Sequence, residues 1–207
     1  MNDAPETRQP LRIEAAAPAV GAITAAASAL SIFVMAHHPT GHGMDAVIVH
    51  TGMITLMATV FFGMSVFSIL RGGALVLAGL TAHGIALGAN IGAGTISGFL
   101  VGALAAASDG GASQDVFLLL RAGNQVLAAM GVYATSVALV IWGADLVSRN
   151  GHAARLAGLA GLALGVIPAA ALATGALALD IHGALAIYAA HAAFTALVGV
   201  LMLRRAV

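Results

Sequence analysis

From Ala46 to Leu70 the chain carries no Asp, Glu, Lys or Arg, and the same holds from Gly72 to Ala107 and from Leu156 to Leu179. Runs this long and apolar constrain the fold more than any other feature. A helix of about 20 mostly apolar residues is what crosses a hydrocarbon layer roughly 30 Å thick. Six segments meet that length, at about 19–36, 46–70, 74–107, 116–147, 156–179 and 183–203. Composition agrees, because the 207 residues are 60% hydrophobic and only 8% charged, against about 25% charged in a soluble domain. Such a chain cannot cover a water-facing surface. The predicted fold is an all-α integral membrane protein, a bundle of six transmembrane helices. The third and fourth segments exceed the minimum and must tilt, bend or protrude.

The residue types that are missing exclude several chemistries. All eight basic residues are arginine, so no lysine exists to form a retinal Schiff base. With no cysteine, disulfide exchange, covalently attached c-type haem and thiolate metal sites fall away. The net charge of zero leaves no electrostatic footprint for nucleic acid.

Residues 1–14, with Asp3, Glu6, Arg8, Arg12 and Glu14, are too polar and acidic for a cleaved signal peptide. They read as a cytoplasmic tail, with an interfacial turn ending near Pro18, and residues 15–207 read as one transmembrane domain. Orientation follows from the arginines. Arg8 and Arg12 precede the first span, Arg71 lies between the second and third, Arg149 and Arg155 between the fourth and fifth, and Arg204 and Arg205 follow the sixth. With six spans all of these fall on one side. Both termini are therefore expected in the cytoplasm, and the protein in an inner (plasma) membrane. Arg121 is the exception, in the outer half.

The third span reads GIALGANIGAGTISGFLVG, with Gly84, Gly88 and Gly92 four apart and then Gly94, Gly98 and Gly102. Such rows let helix backbones approach closely in lipid. They predict plain helix packing, within the bundle or against a partner subunit or second copy. The alternative is a break at GANIGAG that lines a cavity.

An ionisable side chain inside lipid is costly unless paired, and so is informative. His50 of the second span, Arg121 and Asn124 of the fourth and His191 of the sixth lie at similar depths in the outer half. Asn90 of the third joins them if that helix tilts. The predicted cofactor-binding set is therefore His50, His191, Arg121 and Asn124. Arg121 needs a partner from outside its own helix, such as Asp45, Asp109, Asp115, Asp180 or an acidic ligand. Four of the eight histidines, His37, His38, His42 and His50, fall in HHPTGHGMDAVIVH, with His182 on the same side. Imidazole is the commonest nitrogen ligand for zinc, copper, nickel and haem iron. His37, His38, His42, Asp45 and His182 form the predicted metal-capturing set.

Two cofactors fit this pattern. In one, a transition-metal ion (copper, nickel or zinc) is captured at the loop and passed to His50 and His191. In the other, haem b is held between His50 and His191, with Arg121 on a propionate. Metal handling or electron transfer follows from either. The rival reading is a cofactor-free subunit or small-solute permease in which the histidines are structural. No nucleophile–base pair is visible, and the absence of a mid-span Asp or Glu weighs against a proton-coupled antiporter of the common kind. His83, near the bilayer middle, is expected to bond a hydroxyl or backbone group, for instance Thr81 or Thr95. Asp145 and Arg149 read as an interfacial i, i+4 pair, and His152 as solvated.

His38-Pro39, Gly41 and Asp45 resemble the His-Pro…Gly…Asp-His motif of small nickel and cobalt permeases, departing from it at Ala46, where that family has a histidine. The resemblance implies metal capture at the mouth of a span. It covers too little of the chain to assign a family.

Overall fold

A computed structural model describes residues 12–38, 43–107, 113–149 and 151–206. Among these, six helices are long and apolar enough to cross a membrane, and no strand is present. They are α1 (Arg12–Ala36), α2 (Met44–Arg71), α3 (Ala74–Ala107), α4 (Gln114–Val147), α5 (His152–Ala173) and α6 (Ile181–Leu203). The chain is a multi-pass membrane protein. Large apolar side chains such as Phe33, Ile48, Leu119, Leu156 and Ile167 stand exposed on the bundle, where lipid replaces water as their solvent.

Two boundaries differ from the sequence expectation. α1 begins at Arg12, with Pro18 inside it, so no turn separates tail from span. The chain there has no glycine to break it, and Glu14 in the first turn complements the positive end of the helix dipole. α5 stops at Ala173 instead of running to 179, because Gly175 adopts φ 74. In this left-handed position it ends the helix, with the Leu177 N–H donating to the Ala171 carbonyl at 3.0 Å. The turn then reaches Asp180, whose Oδ1 accepts the Gly183 N–H at 2.8 Å and caps α6.

Neighbours in sequence are neighbours in space, and α1 packs along α6, closing the set. α6 also touches α2 and α4, and its Tyr188 hydroxyl donates to Asn90 of α3 at 2.8 Å. Two seams run backbone on backbone. A Cβ on Gly199 of α6 would lie 2.7 Å from the Gly21 carbonyl oxygen of α1, and one on Gly158 of α5 would lie 2.6 Å from the Gly143 carbonyl oxygen of α4. Packing this close is how helices associate where the hydrophobic effect gives no drive between them.

Connectivity gives the bundle two ends. One carries Arg71, Arg149, Arg155, Arg204 and Arg205; the other carries the described histidines His37, His38, His50 and His182. Most of the fully buried large side chains, among them Met64, Phe67, Leu139, Trp142, Leu146, Phe194, Val198 and Met202, gather in the arginine half, with Ile187 an exception. There Asp145 of α4 accepts Arg71 Nε at 2.9 Å and Nη2 at 2.7 Å. The expected partner Arg149 is present too, but looser, at 3.4 Å. The histidine half is less filled, and the cavities lie there and toward the middle of the bundle.

α3 stays α-helical through GANIGAG to Thr95 and then widens into a π-turn at Ile96–Leu100. The Ala93 carbonyl just before it accepts Ser97 Oγ at 3.0 Å and Asn124 Nδ2 of α4 at 2.7 Å. Most of the glycine row is used inside the bundle. Gly92 faces Leu127, and Gly94 and Gly98 face His50, while a Cβ on Gly88 would meet nothing within 4 Å.

Candidate functional site

His50 lies in the second turn of α2, and its Nδ1 sits 2.8 Å from the Ala46 carbonyl oxygen. A carbonyl only accepts, so Nδ1 donates, and Nε2 is the nitrogen turned to the interior. Metal-ligating histidines are oriented in the same way, by donating the other nitrogen to a carbonyl or carboxylate. Gly98, in the π-turn, makes room for the ring: a Cβ there would lie 2.5 Å from His50 Cβ and Cγ. Single-turn π segments occur frequently at functional sites.

Two groups face His50 Nε2. Ser97 Oγ lies 3.0 Å from His50 Nε2, and His38 Nε2 lies 3.2 Å from it. The two imidazoles meet edge to face, with centroids 4.9 Å apart and planes at 81°. Metal–imidazole bonds are about 2.0–2.1 Å long, so nitrogens this far apart subtend roughly 100–106° at a shared ion, close to a tetrahedral angle.

The pair opens onto a cavity of about 240 Å³, lined also by Met35, Met53, Met57, Asn90, Asn124, Gln125, Asp180 and Tyr188. Gln125 Nε2 donates to the Leu179 carbonyl at 3.2 Å, tying α4 to the turn before α6. A second cavity of about 80 Å³ lies deeper, lined by His83, His191, Thr135 and Thr195 among others. Met35, Met53, Met57, Asn90 and Tyr188 line both. Of the residues expected in one polar layer, His50, Asn90 and Asn124 line the first cavity and His191 the second, while Arg121 lines neither.

Comparison with protein-family models, curated proteins and solved structures finds no match to this chain.

His191 is buried, with Nε2 3.3 Å from Ser136 Oγ and Nδ1 unpartnered. Its partner differs from those of His50. Asn124 bonds the Ala93 carbonyl at the rim of the first cavity. Arg121 is exposed and makes no ion pair among the described residues; Asp109, one of its expected partners, lies outside them. His37 is exposed, with Nδ1 2.8 Å from the Phe33 carbonyl and its ring 4.3 Å from that phenyl. Asp45 and His182 are exposed at the starts of α2 and α6. His42 lies outside the described residues. Among those described, no three His, Asp or Glu side chains converge as metal ligands. His83 does not take the hydroxyl partner expected of it. Its Nδ1 is unpartnered, Thr81 Oγ1 donates within its own helix to Leu77, and the ring sits 5.5 Å from that of Phe61 and 5.3 Å from that of Trp142.

Sequence reasoning missed Ser97 and the three methionines. A signal for the latter was present. His50, Met53 and Met57 are spaced i, i+3 and i+7, one face of a helix, and Met35 stands three residues before His38.

Proposed function

We propose that this membrane protein binds a transition-metal ion at His38 and His50, reached from the non-cytoplasmic side, and serves in metal handling. One observation carries the reading: two imidazole Nε2 atoms 3.2 Å apart at the wall of a cavity, one of them oriented by a backbone carbonyl. The geometry favours an ion over haem b. A bis-histidine haem needs His50 and His191 on opposite faces of one iron, whereas their Nε2 atoms engage His38 and Ser97 in one case and Ser136 in the other.

Sidedness follows the arginines, with both termini in the cytoplasm and the histidine end outward. A reporter fused after Val207 should be active only in the cytoplasm, and activity confined to the periplasm would reverse the whole assignment.

Metal analysis of protein purified without a histidine tag tests the site. Wild type is expected to hold about one ion per chain. His38→Ala and His50→Ala should each lower affinity by tenfold or more, because loss of even an orienting partner costs roughly 10–100-fold. His152→Ala, at an exposed position far from the pair, should bind as wild type does. No stoichiometric metal in wild type under any loading condition would leave the histidines structural and the protein a cofactor-free subunit or permease.

A further inference from the structure

Three thioethers line the first cavity beside its amide and hydroxyl groups. Met53 and Met57 stand one helical turn apart on α2, on the face that carries His50, and Met35 approaches from α1. Asp180 is the one carboxylate among the described lining residues, and its Oδ1 is already engaged in capping α6. The soft donors beside the histidine pair are thioethers, and the oxygens there, apart from Asp180, belong to uncharged amides and hydroxyls.

Two physical arguments converge on one kind of ion. Thioether sulfur is a soft ligand that suits Cu(I), whereas divalent zinc and nickel draw their affinity from imidazole, thiolate and carboxylate. The cost of placing charge in a low-dielectric interior rises with the square of that charge, so a dication pays about four times what a monocation does when no anion compensates it. Alkali cations are monovalent too, but they are hard ions that seek oxygen. Resting on the His38–His50 reading above, we infer that the site selects monovalent copper and that Met35, Met53 and Met57 supply sulfur to complete its coordination. The same three methionines line the deeper cavity, so the sulfurs extend from the histidine pair toward the bundle interior.

The test is a titration of purified, tag-free protein in detergent. Cu(I) kept reduced with ascorbate is titrated against a chromophoric Cu(I) chelator, with Zn(II) titrated in parallel. Leu conserves the volume of Met and is a well-tolerated swap, so Met53→Leu/Met57→Leu should fold, and Met53→Leu alone serves if the double variant does not. Tighter binding of Cu(I) than Zn(II) is expected in wild type. The double variant should lose at least about tenfold in Cu(I) affinity with Zn(II) affinity unchanged, and copper X-ray absorption should show sulfur neighbours in wild type that diminish in the variant. If the variant holds Cu(I) as tightly as wild type while His50→Ala does not, the thioether inference is overturned and the histidine pair stands. If Zn(II) binds wild type as tightly as Cu(I), the selectivity is overturned alone. If neither ion binds wild type, both readings fall together.

Discussion

Asp145→Ala is expected to lower the melting temperature of the purified protein by roughly 10 °C. Asp145 holds Arg71 through Nε and Nη2, and the two side chains are only 13% and 8% exposed. Removing one partner of a buried pair costs about 3–5 kcal/mol, because the other charge is left without compensation. Each kcal/mol shifts the melting point of a chain this size by about 2–4 °C. Arg149 touches the same carboxylate at 3.4 Å but is 48% exposed, and an exposed pair contributes under about 1 kcal/mol. Arg149→Ala should therefore shift the melting point by no more than about 3 °C. The combination Asp145→Ala with Arg71→Leu should melt above Asp145→Ala alone, since no unpaired cation is then buried. Equal shifts for Asp145→Ala and Arg149→Ala would show that the α2–α4 bridge is not a distinct lock.

The pairing of Arg71 with Asp145 shows where the sequence was legible and where it was not. Span number followed from the length of apolar runs, a property local to each segment. Partition of the arginines to one end also followed, because it needs only the order of spans. Which carboxylate meets which arginine depends on how α2 and α4 sit side by side. Sequence proximity suggested the i, i+4 partner Arg149, and packing supplied a better one 74 positions away.

The histidines repeat the lesson. Similar depth suggested His50 with His191, but depth fixes height in the bundle and not rotation about each helix axis. Rotation turns His50 toward the end of α1 and His191 toward Ser136. For Arg121, sequence placed a cation in the outer half and so required a partner. The helix instead presents it at the exposed surface, with no ion pair among the described residues, where a long side chain can reach the polar interface. The early end of α5 rests on the backbone of Gly175, and one glycine among the 26 in this chain carries little signal of its own.

Gly98 links the fold to the site most directly. Its lack of a side chain lets the His50 ring lie against the π-turn of α3, and an added Cβ would stand 2.5 Å from two of the histidine's atoms. Something must then shift, and because His50 Cβ stays in place when the ring turns, α2 and α3 must move apart there and carry the ring with them. His50 Nε2 would move relative to His38 and Ser97, spoiling a chelate whose tolerance is a few tenths of an ångström. Gly98→Ala is thus expected to weaken metal binding by roughly 10–100-fold, the range seen when orientation of a ligand is lost. Its effect on melting should be smaller than that of Asp145→Ala, because no charge is stranded. Gly88→Ala, on the same helix but with nothing within 4 Å of its would-be Cβ, should bind as wild type does and melt at or slightly above it, since alanine favours helix over glycine by about 1 kcal/mol. Wild-type affinity in Gly98→Ala would mean that the ion does not depend on the position of His50, and the site would have to be sought elsewhere along the cavity.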